Sequence, residues 1–134
     1  MLQVRDHLSR LSHSLKPQQG LAAALDSLHA SGLSGLPVLD DKQQLVGFLS
    51  EQDCIPSLLT GTYHCDTRTQ VQDMMSKTPL SIGPDESILD LARQMTGAKP
   101  RIYPVVEQGK VIGIISRRQV MQALNQQLKG CQQT

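Results

Sequence analysis

Hydrophobic residues recur along this chain in a pattern that is repeated once. In the first copy, apolar residues at helical spacing cover Leu21 to Leu28 and stop at Ser31-Gly32. Two short, mostly apolar runs follow at 36–39 and 45–49, with a polar turn between them. Apolar residues spaced three and four apart indicate a helix, and short apolar runs bounded by turn residues indicate strands. With a brief extended piece at Ser14-Leu15, the copy predicts the order short β, α, β, β, α.

The second copy predicts the same elements in the same order. They are a short strand at 80–82, a helix that carries the apolar residues between Ile88 and Met95, two hairpin strands at 102–106 and 111–115, and a closing helix that follows Ser116 and ends near Gly130. Asp85 stands where the N-cap of the first of these helices is expected, and Ser116 where the N-cap of the last is expected. The chain is therefore predicted to contain one structural unit written twice.

The two copies also align residue by residue. At an offset of 67 positions identical residues coincide along the first copy, and Ser9 with Ser76 is one such pair. After a polar turn that begins at Asp40, the offset becomes 66, at which Gly47 meets Gly113. Turns accept changes of length more easily than helices or strands. The alignment therefore indicates an internal duplication.

The duplication divides the chain into a first repeat at 1–62, a linker at 63–69 and a second repeat at 70–134. A repeat of about 65 residues buries too little apolar surface to be very stable alone, so the two are expected to share a core. The predicted fold class is α/β, in the α+β sense, with the repeats packed about a pseudo-two-fold axis and clefts between them.

Charge and composition argue against several functions. The net charge is +1, and the chain has one Phe, two Tyr and no Trp, which predicts no binding to nucleic acid. The longest apolar runs, such as Val111–Ile115, are far shorter than a membrane span. Charged residues at Arg5 and Asp6 interrupt the place of a signal peptide. These features predict a cytoplasmic protein that does not enter a membrane.

Cysteine and histidine usage gives no sign of catalysis or metal binding. Cys54, Cys65 and Cys131 form no CxxC motif, and an odd number suits a reduced compartment. His64 and Cys65 are adjacent, so in an extended segment their side chains would point to opposite faces. The chain has no HExxH, P-loop or GxSxG motif. We expect no metal site and no enzymatic activity.

Short motifs in both copies resemble those of the cystathionine-β-synthase (CBS) domain. They comprise an opening segment, the start of the first helix, the hairpin and the start of the last helix, at 71–79, 84–88, 103–107 and 113–116, and in the first copy at 36–40 and 47–53. Each motif alone is weak, but their order, repeated twice, covers almost the whole chain. The sequence therefore resembles a tandem CBS pair, often called a Bateman module.

The resemblance implies a regulatory function. Modules of this family bind adenosine-containing ligands such as AMP, ADP, ATP or S-adenosylmethionine in the clefts between repeats, with no required cofactor. They signal to a protein partner, here unidentified, by a change of conformation, and two modules commonly form a homodimer. The alternative is a ligand-free dimeric scaffold for protein–protein interaction.

The family's nucleotide signature is a Ser or Thr followed three residues later by Asp, just after the second hairpin strand. Ser50 and Asp53 match it. The hydroxyl and the first amides of the helix would face a phosphate, and the carboxylate would accept hydrogen bonds from the ribose hydroxyls. The alternative is that the two residues only cap a helix.

The second copy departs from this signature. Ser116 is retained, but Gln119 stands in place of the carboxylate, so the charge-assisted bonds to a diol are lost. Arg117 and Arg118 follow Ser116. These cations could reach a phosphate, pair with acids of a partner subunit, or face solvent.

Further ligand contacts are implied by the resemblance alone. They are backbone and apolar groups of the two hairpins and a segment beside the base, at Val38, Leu39, Val105, Thr78 and Pro79. The hairpin residues are equally suited to an ordinary core. Lys99 and Arg101 are either contacts to an anion or part of a solvated strand edge.

Overall fold

The computed structural model describes residues 2–97 and 100–131, and Lys99 lies outside them. A short 3-10 turn at Val4–Asp6 is followed by strands and helices in alternation. These are β1 (Ser9–Arg10), α1 (Leu21–Ser31), β2 (Gly35–Leu39), β3 (Leu45–Ser50), α2 (Glu51–His64), α3 (Val71–Met74), α4 (Ile88–Met95), β4 (Ile102–Glu107), β5 (Lys110–Ser116) and α5 (Arg117–Cys131). The predicted helices and hairpins are confirmed, as is the mixed fold class.

The chain folds as two compact units that do not coincide with the two sequence repeats. One unit is the continuous segment 12–79, and we call it the inner unit. The other combines 1–11 with 80–134, and we call it the outer unit. The opening segment of each repeat thus belongs to the unit that contains the helices and hairpin of the other repeat. The predicted division at 1–62, 63–69 and 70–134 describes the sequence duplication and stays a prediction.

In the inner unit, β2 and β3 form an antiparallel hairpin, and Leu15 adds a parallel bridge to Val38. The first helix ends at Gly32, which is left-handed with φ 69° and suits glycine. The core consists of buried side chains from the bridge at Leu15, from α1, α2 and α3, and from the hairpin, namely Leu15, Ala24, Leu28, Leu36, Val38, Leu49, Cys54 and Val71. Val71 comes from the second sequence repeat, so this core uses both repeats.

In the outer unit, the sheet order is β1-β5-β4, with both pairs antiparallel. Ile82 adds a parallel bridge to Val105, as Leu15 does in the inner unit. The core of the outer unit also combines residues of both repeats. It comprises Val4, Ile82, Ile88, Leu91, Met95, Tyr103, Val105, Ile115, Val120 and Ala123. The expected single shared core is therefore replaced by two cores. Each is completed by the opening segment of the other repeat.

In each unit, the opening segment pairs with the second strand of the hairpin, which is β3 in the inner unit and β5 in the outer unit. The Phe48 and Ser76 backbones exchange hydrogen bonds of 3.1 and 2.9 Å, and Ser9 pairs with Ile114 at the equivalent position. The adjacent strand residue is a glycine in both units, and a Cβ there would meet backbone atoms of the opening segment. Glycine therefore permits this close approach twice.

The predicted cap of α4 is wrong. The helix begins at Ile88, and the hydroxyl of Ser87 accepts hydrogen bonds from the Leu89 and Asp90 amides at 3.1 and 3.4 Å. Asp85 instead accepts from the Arg5 guanidinium, at 3.0 Å from Nη2. A serine directly before the apolar helical run caps it better than an aspartate farther upstream, because the capping oxygen must reach the first free amides.

Tyr103 is the largest fully buried side chain of the outer unit, with 1% of its surface exposed. Its hydroxyl is buried and has no hydrogen-bond partner among the described residues. Burial raises the pKa of this phenol above its ordinary value of 10. A buried hydroxyl without a partner costs about 1–3 kcal/mol relative to one that water solvates.

We expect Tyr103→Phe to raise the free energy of unfolding by about 1 kcal/mol at neutral pH, because the substitution removes an unpaired donor and keeps the ring. The raised pKa in the folded state means that the neutral phenol contributes stability below pH 10 that is lost as the pH rises through that pKa. The variant should therefore also lose less stability than the parent above pH 10. Urea titrations at neutral and alkaline pH measure both effects, and a less stable variant at neutral pH would reveal a partner for the hydroxyl.

Candidate functional site

Ser50 and Asp53 form a reciprocal capping box at the start of α2. The Asp53 amide donates to Ser50 Oγ at 3.3 Å, and the Ser50 amide donates to Asp53 Oδ2 at 3.0 Å. Both side chains are partly buried. Since β3 runs directly into α2 at Ser50, the pair is held between two regular elements. The predicted helix-capping role is confirmed.

The carboxylate of Asp53 retains capacity to accept hydrogen bonds. Oδ2 is used by the Ser50 amide, and Oδ1 has no hydrogen bond among the described residues. The neighbouring Cys54 thiol is buried and donates to the Ser50 carbonyl at 3.5 Å. Its pKa is raised by burial, and further by the charges of Asp53 and Glu51, so it remains protonated and inert. The Oδ1 atom of Asp53 is therefore suited to accept hydrogen bonds from hydroxyl groups.

The start of α2 is less suited to a phosphate than the sequence predicts. The Glu51 amide donates to the Ser34 carbonyl at 2.9 Å, and the Asp53 amide to Ser50 Oγ, so two of the first-turn amides are already used. The first turn also carries the carboxylates of Glu51 and Asp53. Two negative groups oppose a third one nearby, so a neutral diol fits this position better than a phosphate.

Ser116 and Gln119 form the equivalent box at the start of α5. The Ser116 amide donates to Gln119 Oε1 at 2.7 Å, and the Gln119 amide donates to Ser116 Oγ at 3.4 Å. In addition, Gln119 Nε2 hydrogen-bonds Ser9 Oγ. Each polar atom of the Gln119 side chain therefore already makes one hydrogen bond within the outer unit.

The first turn of α5 is basic where that of α2 is acidic. Arg117 and Arg118 occupy it, and no acidic residue is present there. The Arg117 amide donates to the Arg101 carbonyl at 2.8 Å, while the Arg117 Nε is buried without a hydrogen-bond partner among the described residues. A buried charged donor gains most from an added acceptor, so Arg117 is suited to an anion.

The other predicted contacts lie mainly in hydrophobic cores. Val38 and Val105 are fully buried, and Leu39 is 3% exposed. The Leu39 amide already donates to the Leu15 carbonyl at 2.8 Å. These positions therefore have the structural role that the hairpin pattern alone would give them. Their contact with a ligand stays a prediction.

Thr78 and Pro79 follow the bridge between Ser76 and Phe48 in the inner unit. Thr78 is exposed and Pro79 is partly buried. The hydroxyl of Thr78 is thus accessible, and its predicted place beside a base stays a prediction.

Ser9 was not recognised from the sequence as a residue of the site. Its contact with Gln119 joins residues that are 110 positions apart. The available signal was its alignment with Ser76, which marks the opening segment in both repeats. That alignment does not reveal which hairpin the segment joins.

Two cavities lie at the other end of α2. One of about 220 Å³ is lined by Pro56, Ser57, Thr60, Gly61, Asp66 and Thr69. The second is a broad groove of about 550 Å³ over residues 64–68. The Arg68 guanidinium holds the pKa of Asp66 at about 2, so this carboxyl is ionised. Neither lining contains a residue that the sequence predicts for a ligand.

The environment of His64 and Cys65 differs from the extended segment that the sequence predicts. His64 is the last residue of α2, and Cys65 is its left-handed C-cap with φ 51°. Within residues 2–97 and 100–131, no group of three His, Cys, Asp or Glu side chains is arranged to hold a metal ion.

Two units with equivalent hairpins and equivalent helix starts define a tandem-repeat module. Residues 4–59 and 71–126 each match the CBS domain family. The chain belongs to the CBS domain family and is a tandem CBS pair, as the motifs predict.

Two proteins illustrate the similarity of this chain to others in sequence. CBSX2 is a chloroplastic CBS domain-containing protein of Arabidopsis thaliana. It is 31% identical over an alignment of 137 positions, gaps included, that covers 83% of this chain and 58% of CBSX2. Protein MJ1225 of Methanocaldococcus jannaschii is 27% identical over 113 residues, which cover 84% of this chain and 39% of MJ1225. The chain thus spans little more than half of one relative and less than half of the other.

Solved structures support the same assignment. The crystal structure of CBSX2 in complex with AMP has a TM-score of 0.80 at 32% identity, over 94% of this chain and 98% of that chain. The CBS domain pair of MJ0100, in complex with 5′-methylthioadenosine and S-adenosylmethionine, has a TM-score of 0.79 at 20% identity, over 93% and 97% of the two chains. At that identity the second likeness shows the fold alone.

None of the described helices has the length and apolar character that crossing a membrane requires. The predicted cytoplasmic location stays a prediction, since CBSX2 is a chloroplast protein.

Proposed function

We propose that this chain is a regulatory module that binds an adenosine-containing nucleotide and is not an enzyme. The observation that carries the proposal is the Ser50–Asp53 pair, which keeps the family signature and leaves Asp53 Oδ1 without a partner among the described residues. The AMP complex of CBSX2 supports the class of ligand. CBS pairs are typically regulatory, which supports a role in sensing.

Each unit offers its own kind of contact to a nucleotide. In the inner unit, Asp53 is proposed to accept hydrogen bonds from ribose hydroxyls, because a carboxylate can accept from two neighbouring donors at once. In the outer unit, Arg117 and Arg118 are proposed to bind phosphate, because the first turn of α5 carries their charge without a neighbouring acid. A ligand that favours one conformation of the module then shifts its population toward that conformation, which a partner protein detects.

The proposal is tested by a ligand panel on the purified chain. AMP, ADP, ATP and S-adenosylmethionine are titrated separately, and the melting temperature is followed by scanning calorimetry. A ligand specific for the folded state raises the melting temperature in proportion to the logarithm of its concentration above the dissociation constant. A rise that follows this dependence is expected with at least one compound. A constant melting temperature for all four would refute the proposal for these ligands.

We expect the double variant Arg117→Ala, Arg118→Ala to weaken binding of ADP and ATP more than binding of adenosine. The two guanidinium groups would contact only the phosphates, so adenosine serves as the internal control. Loss of about 1–3 kcal/mol of binding free energy per charge-assisted contact is expected. Isothermal titration calorimetry measures the three affinities. An equal loss for all three would indicate a defect in folding or assembly.

A dimeric scaffold is the second candidate function, and an exposed face of α2 favours it. Ile55, Leu59 and Tyr63 recur every four residues and are 54, 70 and 84% exposed. Residues 54–63 contain no Asp, Glu, Lys or Arg. An uncharged apolar stripe of this kind is typical of an interface, and it meets a copy of itself without repulsion between like charges. We propose homodimer formation through this face.

Leu59→Glu tests the homodimer, and Ala23→Glu on the exposed face of α1 is the matched control. Analytical ultracentrifugation is expected to show a dimer for the parent and the control, and a shift toward monomer for Leu59→Glu. A dimer that persists in Leu59→Glu would exclude this face. A dimer with no response to the ligand panel would favour the scaffold over the sensor.

A further inference from the structure

We propose that Gln119 is a structural latch that fastens the opening segment to α5 through Ser9 and thereby withholds the second signature position from ligand. Each chain then binds one adenosine ligand through Asp53. The inference rests on the proposed function for the ligand, but the latch itself is a property of the outer unit. It assigns to Gln119 a role opposite to that of its counterpart Asp53.

The orientation of the Gln119 amide is fixed by its two partners. Oε1 accepts from the Ser116 amide at 2.7 Å, and a backbone N–H can only donate. The side-chain nitrogen therefore faces Ser9, whose hydroxyl oxygen accepts from it. A ligand at Gln119 would be left with the second N–H of Nε2 and the second lone pair of Oε1. It would also find no negative charge there.

The latch adds a contact with α5 to an opening segment that other parts of the outer unit already hold. Val4 is fully buried in the core, and the Val4 and Arg5 amides donate to the Glu86 and Pro84 carbonyls at 2.9 and 2.7 Å. Ser9 and Arg10 pair with β5. Farther upstream, the Arg5 guanidinium binds Asp85 at 3.0 Å. The hydrogen bond from Gln119 fastens the segment at the short strand itself.

The inner unit provides the natural comparison. Ser76 is equivalent to Ser9 and pairs with Phe48 through the backbone, as Ser9 pairs with Ile114. Asp53 is equivalent to Gln119, but no hydrogen bond joins Asp53 to Ser76 among the described residues. A carboxylate has no proton to donate, whereas the amide of Gln119 donates while its oxygen serves the cap. The Gln at position 119 therefore binds Ser9, whereas the Asp at position 53 keeps a carboxylate oxygen that can accept a hydrogen bond from a ligand.

Hydrogen exchange on the full chain tests the latch without any ligand. Ser9→Ala removes the acceptor and leaves the cap of α5 intact, and Ser76→Ala is the matched control in the inner unit. Amides of residues 5–10 are expected to exchange about two- to tenfold faster in Ser9→Ala than in the parent. Loss of one hydrogen bond lowers the free energy of local opening by an amount that corresponds to this change in rate. Amides of residues 72–77 are expected to exchange at the parental rate in Ser76→Ala. An unchanged rate in Ser9→Ala, or equal acceleration in both variants, overturns the latch.

Calorimetric stoichiometry with AMP tests the consequence for binding. The parent is expected to bind one AMP per chain, and the double variant Ser9→Ala, Gln119→Asp is expected to bind two, because it frees the position and restores the carboxylate. Two AMP per parent chain would refute the withheld site while leaving the sensor intact. If the parent binds no AMP, the sensor fails for this nucleotide, and the exchange rates still decide the latch.

Discussion

Gly113→Ala will lower the free energy of unfolding by about 1–3 kcal/mol, because the added methyl group has no room. A Cβ at this position would overlap the carbonyl oxygen of Ser9 and lie 2.8 Å from Leu8 Cδ1. The oxygen belongs to the backbone of β1, so it cannot move aside as the end of a flexible side chain can. Relief would require β1 to separate from β5.

Gly47→Ala is expected to act in the same direction in the inner unit. Its Cβ would overlap Met75 Sδ and lie 2.9 Å from the Ser76 carbonyl oxygen. Part of this overlap involves a flexible methionine, so the smaller loss of the two is expected here. We therefore expect the clash with the backbone in Gly113→Ala to lower the free energy of unfolding more than the partly side-chain clash in Gly47→Ala.

Gly130→Ala is the control for both. It lies in α5, and a Cβ added there would meet nothing within 4 Å, so alanine is expected to stabilise by up to about 1 kcal/mol through helix propensity. Urea titrations of the three variants at constant pH provide the comparison. A parental urea midpoint for Gly113→Ala would contradict the close crossing of β1 over β5.

Asp53→Ala is expected to weaken nucleotide binding by about 1–2 kcal/mol, since it removes the acceptor proposed for the ribose hydroxyls. The same substitution breaks the capping box and lowers stability, so affinity has to be measured below the melting transition. Isothermal titration with the best ligand of the panel gives the dissociation constant directly.

Asp53→Asn separates the two roles of this residue. The asparagine oxygen can still accept from the Ser50 amide, as the Gln119 oxygen does from the Ser116 amide, so the cap is expected to survive. Only the charge is lost. Weaker binding with parental stability is therefore expected for Asn, and parental affinity in both variants would remove Asp53 from the site.

Local features of this fold could be predicted from the sequence because they depend on neighbouring residues. The spacing of Ser50 and Asp53 predicts a capping box, and the structure contains it. At the start of α4, Asp85 and Ser87 are both residue types that cap helices well. Ser87 is the cap because it directly precedes Ile88, while Asp85 binds Arg5 from a distant part of the chain.

Long-range pairing could not be predicted from the sequence. The duplication shows that Ser9 and Ser76 are equivalent, but either could lie on the hairpin of its own repeat or on that of the other. The apolar pattern does not distinguish the two arrangements, since Val4 and Val71 are equivalent apolar residues in the two repeats. For the same reason the contact between Ser9 and Gln119 has no signature in the sequence.

The exchange of opening segments sets an order for folding during translation. The inner unit is fully synthesised once Pro79 has been added, so it can fold while the rest of the chain is still on the ribosome. The outer unit combines residues 1–11 with 80–134, and Ser9 and Arg10 of β1 pair with β5. These two residues therefore have no partner strand until β5 has been synthesised, so β1 joins its sheet after the inner unit is already able to fold.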